Sequence, residues 1–222
     1  MTEWKPACRD AEACLTSGRD YRPAPFLWLC GPSGVGKSSV GWQLYLHVIG
    51  SGVKAAYVDL DQISFARPAP PDDPENDALK AHNLSAMWPN YRDAGARCLL
   101  TSGIVLSPDV IATTAAAVTG TTLIVCRLRA RPETIRERMF RRGRGYGPPL
   151  AGDELVGRPA AWLVEAADDS IREAEIMEKL DLGDFVIDTD DLSIASVAEA
   201  VRARAGDWPG LPSAQTLSDE VR

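Results

Sequence analysis

Histidine is nearly absent, with only His47 and His82, and a metal centre built on histidine is excluded on that count. None of the five cysteines stands in a Cys-x-x-Cys pair, so neither a zinc knuckle nor a dithiol redox motif is present. Cys30, Cys98 and Cys126 lie inside apolar runs and read as small buried hydrophobes. Cys8 and Cys14 are free to pair, but the start MTEWKPACRDAEA carries charges and no apolar signal core. A reduced, cytoplasmic compartment is therefore expected. No apolar run reaches the roughly 18–20 residues of a membrane helix. Positive charge is the minority sign, 24 Lys+Arg against 31 Asp+Glu for a net −7, and this argues against a nucleic-acid or anionic-membrane partner. Internal repeats are lacking too. What remains is a chain of 222 residues, 45% hydrophobic and 25% charged, ample for one sizeable core.

Apolar runs at Phe26–Cys30, Lys54–Asp59, Arg97–Thr101, Thr121–Leu128 and Phe185–Asp188 read as strands covered on both faces. Helical segments alternate with them at Lys37–Ile49, about Pro74–Ala94, Pro108–Val118, Pro132–Arg142, Ala160–Leu180 and Ile194–Ala205. The alternation predicts an α/β fold, a five-stranded parallel doubly wound sheet with helices on both faces. Residues 1–24 read as a leader, 25–206 as one domain, and 207–222 as a tail. The proline-rich stretch Ala66–Pro74 excludes regular structure there.

Gly31-Pro-Ser-Gly-Val-Gly-Lys-Ser38 matches G-x-x-x-x-G-K-[ST], follows a strand and opens a helix, which is the context a phosphate loop needs. Glycines at 31, 34 and 36 let successive N–H groups aim into one concavity, and the helix dipole adds to it. Ser33, Val35 and Ser39 complete the expected nucleotide cradle. Lys37 supplies a charge for the β/γ oxygens and Ser38 a hydroxyl ligand for Mg²⁺. ATP and Mg²⁺ are the expected cofactors.

The second strand ends Tyr57-Val-Asp-Leu-Asp61, and alternation predicts Asp59 and Asp61 on one side, beside the loop. Asp59 is the candidate partner of the metal and Asp61 the candidate base for an acceptor hydroxyl. The third strand ends Leu99-Leu-Thr-Ser-Gly103 without the usual acid, which argues against motor-type ATPases; a GTPase base-reading NKxD motif and a transporter LSGGQ motif are missing as well. Arg138, Arg141, Arg142 and Arg144 then run into a glycine- and proline-rich segment. A cationic cluster entering such a segment suits a lid that closes over a transferring phosphate, and equally suits favourable charges at a helix C-terminus.

Together these elements resemble the small P-loop kinases, a group that includes shikimate, gluconate and adenylylsulfate kinases and chloramphenicol phosphotransferase. The likeness covers roughly residues 25–206, and the YVDLDQI and RRGRG layout is similar to that of actinobacterial P-loop ATP-binding proteins. The resemblance implies Lys37, Asp61, Arg138 and Arg142 as catalytic residues, a lid at about 138–158, and Thr189 within VIDTD beside adenine. It carries no substrate: Leu60-Asp61-Gln62 replaces the Gly-Asp-Asn of adenylylsulfate kinase, and Ser102-Gly103-Ile104 the triple glycine of shikimate kinase.

On the acceptor side, Asp73 is placed to cap a helix starting at Pro74. Asn76, Asn83 and Asn90 recur every seven residues with Lys80 between them, a stripe suited to a polar acceptor or simply to solvent, and Pro89 is expected to end or kink the helix. Trp88 and Tyr91 are candidates for stacking on a ring or for burial. Arg67 is a candidate for an acceptor phosphate, and Ser102 and Gly103 for acceptor contact. The acidic run Glu165–Glu178 reads as a solvated face. The expected activity is transfer of the γ-phosphoryl group of ATP to a hydroxyl or phosphate of a small polar acceptor. A nucleoside or nucleotide kinase is the rival within that class. A sequestration or resistance protein with little turnover is the rival outside it. The expected partner is a small molecule, with no nucleic acid or membrane, and the expected state is a monomer or homodimer.

Overall fold

The computed structural model describes residues 22–147, 153, 155–206 and 208–209. Most of the expected leader and tail, and lid residues 148–152 and 154, lie outside the described residues. Five strands form the sheet: β1 (Ala24–Cys30), β2 (Ala55–Asp59), β3 (Cys98–Ser102), β4 (Thr121–Arg129) and β5 (Phe185–Asp188). They lie in the order β2-β3-β1-β4-β5, with every described pairing parallel. The helices are α1 (Lys37–Gly50), α2 (Asp77–Asp93), α3 (Pro108–Ala117), α4 (Pro132–Gly143), α5 (Ala160–Lys179) and α6 (Ile194–Arg204). Because β1 sits centrally and the chain leaves it first to one side and later to the other, the carboxyl ends of β1 and β3 form a switch-point crevice.

Two apolar layers explain why the strands read as continuous runs. Leu27, Leu29, Cys98, Leu100, Cys126 and Leu128 face α1 and α6, which supply Val40, Leu44, Val48, Val197 and Val201. The alternate residues Phe26, Trp28, Cys30, Val58, Leu99 and Val125 face α2 and its surroundings through Leu84 and Trp88. A third cluster joins α4 to α5 through Ile135, Met139, Leu163 and Ala167. Burial pushes the Cys30 and Cys98 thiols up to about 12, and they behave as hydrophobes. No helix among the described residues is long and apolar enough to cross a membrane.

Four expectations are corrected. Ala24, assigned to the leader, opens β1 and pairs with Thr121. Trp208, assigned to the tail, is buried in the α1/α6 layer, and its Nε1 donates to the Leu99 carbonyl at 3.2 Å. The helix expected from Pro74 begins at Asp77, because Asn76 turns the chain at φ 54°, a left-handed value. Asp73 still closes its start, accepting from the Asp77 and Ala78 amides at 2.7 and 3.0 Å. Of the end or kink expected at Pro89, the end is not seen, and α2 runs on to Asp93. The buried anchors Leu84 and Trp88 hold the helix to the sheet across the missing donor, and the Asn90 side chain donates to the Ala86 carbonyl at 3.1 Å.

Candidate active site

The phosphate loop leaves β1 where it touches β4. Gly31 has φ 145°, and a Cβ there would stand 2.5 Å from the Leu128 carbonyl oxygen, so only glycine permits this exit. Gly36 precedes α1 at φ 104°, and no side chain caps the helix. Among the described residues, no acceptor meets the N–H groups of Gly34, Gly36, Lys37 or Ser38. A helix start with open donors fits an anion, and the donor set here fits a polyphosphate. Lys37 is buried with its Nζ on the Pro32 carbonyl at 3.1 Å. Val35 is buried, and Ser39 follows on the first turn of α1.

Asp59 is a hub. Its Oδ2 accepts from the Ser38 hydroxyl at 2.6 Å and from the Ser102 hydroxyl at 3.0 Å, while Oδ1 accepts from the Asp61 amide at 3.1 Å. Ser102 spends its one proton on Asp59, so the Tyr57 hydroxyl, 2.8 Å away, donates to Ser102. Burial, with the nearby Asp59 charge, pushes Tyr57 up to about 12 and keeps it a donor. Ser102 thus orients Asp59 rather than lining open space. Gly103 is required by packing, since a Cβ there would meet the Leu60 Cβ at 2.8 Å.

Strand alternation stops at Asp59, and a single 3-10 turn, Leu60–Ile63, presents Asp61 instead. The Asp61 side chain is 41% exposed. Its Oδ1 accepts from the Ile104 amide at 3.3 Å and lies 3.6 Å from Lys80 Nζ. Lys80 is buried and also bonds Asp77 at 3.1 Å. The asparagine stripe is tied to backbone: Asn76 Nδ2 donates to the Ser64 and Ala66 carbonyls at 3.0 and 2.9 Å, and Asn83 Nδ2 to the Ile63 carbonyl at 2.7 Å. These bonds fix the turn that carries Asp61. Trp88 packs in the core with the Arg92 guanidinium 5.6 Å over its ring, Tyr91 packs against the same layer, and Arg67 is exposed.

The arginines divide. Arg138 spans the loop and the far strand, donating to the Val35 carbonyl at 3.1 Å and to the Thr189 hydroxyl and carbonyl at 2.9 and 2.8 Å. Arg142 is bound to Asp153 at 2.6 Å. Arg141 and Arg144 are exposed. Among the described residues no group of three or more His, Cys, Asp and Glu side chains could hold a metal ion; the Ser38 hydroxyl and Asp59 carboxylate are oxygen donors of the kind Mg²⁺ takes.

One site residue escaped the sequence reading. Glu173, on α5, accepts the Ser33 amide at 3.2 Å. It lies in the acidic run taken as a solvated face, yet it falls between Ser170 and Met177 on the buried stripe of α5. An acid in the register of an apolar stripe was the available signal.

No family model matches the chain, and neither does any curated protein. Solved structures do. The tunicamycin resistance protein of Deinococcus radiodurans is 16% identical with a TM-score of 0.54, the match covering 82% of this chain and 96% of that one. A gluconokinase from Sinorhizobium meliloti 1021 is 15% identical with a TM-score of 0.54, covering 90% and 99%. The Mycobacterium tuberculosis APS kinase, in complex with AMPPNP and APS, is 18% identical with a TM-score of 0.51, covering 82% and 96%. At such identities the likeness is one of architecture, and the chain has the five-stranded α/β fold of the small P-loop kinases.

Proposed function

We propose that the chain transfers the γ-phosphoryl group of ATP to a hydroxyl of a small polar molecule. The observation that carries this reading is the Ser38–Asp59 contact of 2.6 Å at the open helix start, with the half-exposed Asp61 two residues further on. The loop amides and Lys37 would hold the triphosphate, and Arg138 with Thr189 would flank the base. Mg²⁺, when bound, draws charge off the phosphate oxygens; the Ser38 hydroxyl would ligate it, with Asp59 behind. Asp61 accepts the proton of the acceptor hydroxyl, and Lys80 with the Ile104 amide keeps its carboxylate oriented. Arg141 and Arg144, exposed arginines at the lid base, would meet the charge that develops on transfer. Catalysis of this kind is positioning and electrostatics. A dedicated base beside the triphosphate favours turnover over sequestration. The test is nucleotide retention followed by phosphate transfer to a panel of sugars, nucleosides and antibiotics. Asp61→Asn is expected to lower turnover by about 10²-fold or more while ATP is still retained. Tight ATP binding with turnover indifferent to both Asp61→Asn and Lys37→Ala would overturn the reading.

A further inference from the structure

Phosphate chemistry has no use for Glu173. A carboxylate beside a triphosphate site is repelled by it, and among the described residues no lysine or arginine pairs with Glu173 within 4.0 Å. Its cationic neighbour is Lys37, whose charge a bound triphosphate takes up. Burial raises its proton affinity, the Ser33 amide and Lys37 oppose this, and the like charges of Glu75 and Asp169 add to it. Within the fold its one described hydrogen bond is to the Ser33 amide, which leaves the rest of the carboxylate for a ligand.

Its position says which ligand. Met177, one turn on and on the same face of α5, packs in a cluster with Ile104. The Ile104 amide holds the Asp61 carboxylate. The contacts through Met177 and Ile104 therefore bring α5, which bears Glu173, to the same side as the turn after β2 that bears Asp61. Glu75, within electrostatic reach of Glu173, belongs to the segment that Asn76 fastens beside Ser64. Lys80, the buried cation on that side, is already shared between Asp61 and Asp77. Asp61, Glu75 and Glu173 thus stand on the acceptor side, with Lys80 already paired and Lys37 reserved for ATP.

Resting on the kinase reading above, we infer that Glu173 is the acceptor-specificity residue and selects hydroxyl compounds that carry a protonated amine. The ammonium group would donate to the Glu173 carboxylate while the hydroxyl faces Asp61. An acceptor bearing its own phosphate would be repelled by the same carboxylates, which disfavours a nucleotide acceptor.

The test is a panel of matched acceptors with labelled ATP: glucosamine, glucose and glucose 6-phosphate; 3′-amino-3′-deoxyadenosine, adenosine and AMP; and kanamycin as a polyamine-bearing cyclitol. Transfer is expected to concentrate on the amine members. Glu173→Gln should raise KM for the best of them by about tenfold or more with kcat little changed, and Glu173→Asp should keep the preference. A neutral or phosphorylated compound as best acceptor overturns the inference and leaves the kinase reading standing. So does an amine acceptor whose KM ignores Glu173→Gln while ATP is bound as in the wild type. Retained ATP with no transfer to any member of the panel overturns the kinase reading, and this inference with it.

Discussion

Position 173 shows why a residue can be chemically central and still hard to find along the chain. Its partner Ser33 lies 140 residues away, and nothing local marks the contact. The phosphate loop is the opposite case: Gly31, Gly36, Lys37 and Ser38 do their work in one contiguous motif, so spacing alone reveals them. Glu173 also makes a prediction about acidity. Burial pushes its carboxyl up, helped by Glu75 and Asp169 and opposed by Lys37 and the Ser33 amide. The folded group therefore holds its proton more tightly than the unfolded one. Its contribution to stability is intact below the usual glutamate range and is lost as the pH rises through the raised value. Glu173→Gln keeps an acceptor for the Ser33 amide without a charge to bury. Its melting temperature relative to wild type is expected to climb as the pH rises above the usual glutamate range, and a flat difference in thermal melts would count against the assignment.

Strands and helices were legible to within a residue or two because the two apolar layers leave a periodic trace, as at Leu27, Leu29 and Phe26, Trp28. The start of α2 was not. Proline at 74 mimics a first helical turn, and the left-handed turn at Asn76 that overrides it depends on tertiary bonds to Ser64 and Ala66. The asparagine stripe was visible for the same reason that its role was not: periodicity locates a face but says nothing of what the face meets. Asn76 allows a clean separation of its two duties. Asn76→Gly suits φ 54° yet loses both amide bonds, and it should cost about 1–3 kcal/mol in urea unfolding. Asn76→Ala should cost about 1 kcal/mol more, since it adds the left-handed strain. Equal stability of the glycine variant and wild type would show that the two bonds hold nothing.

For the whole molecule, the net −7 charge describes the exterior, while the open amides and Lys37 make the sheet edge at the end of β1 attractive to anions. Binding at that edge should stabilise the chain as a unit. ATP·Mg²⁺ at about 100 times its Kd adds about 2.7 kcal/mol, a rise of roughly 5–10 °C in Tm for a chain this size. Lys37→Ala should remove most of the rise and leave the unliganded Tm near wild type, because among the described residues Nζ bonds only the Pro32 carbonyl. A wild-type Tm indifferent to ATP·Mg²⁺ would refute nucleotide binding. The bonds around Asp59 have a different kind of consequence. One carboxylate fastens the end of β2 to β3 through Ser102, to the turn that bears Asp61, and to the first turn of α1 through Ser38. Any replacement there loosens the scaffold and the reaction centre in the same stroke. Evolution therefore has no route by which to trade one against the other at this position, whereas Glu173, which among the described residues bonds one amide, is free to be rewritten for a new acceptor.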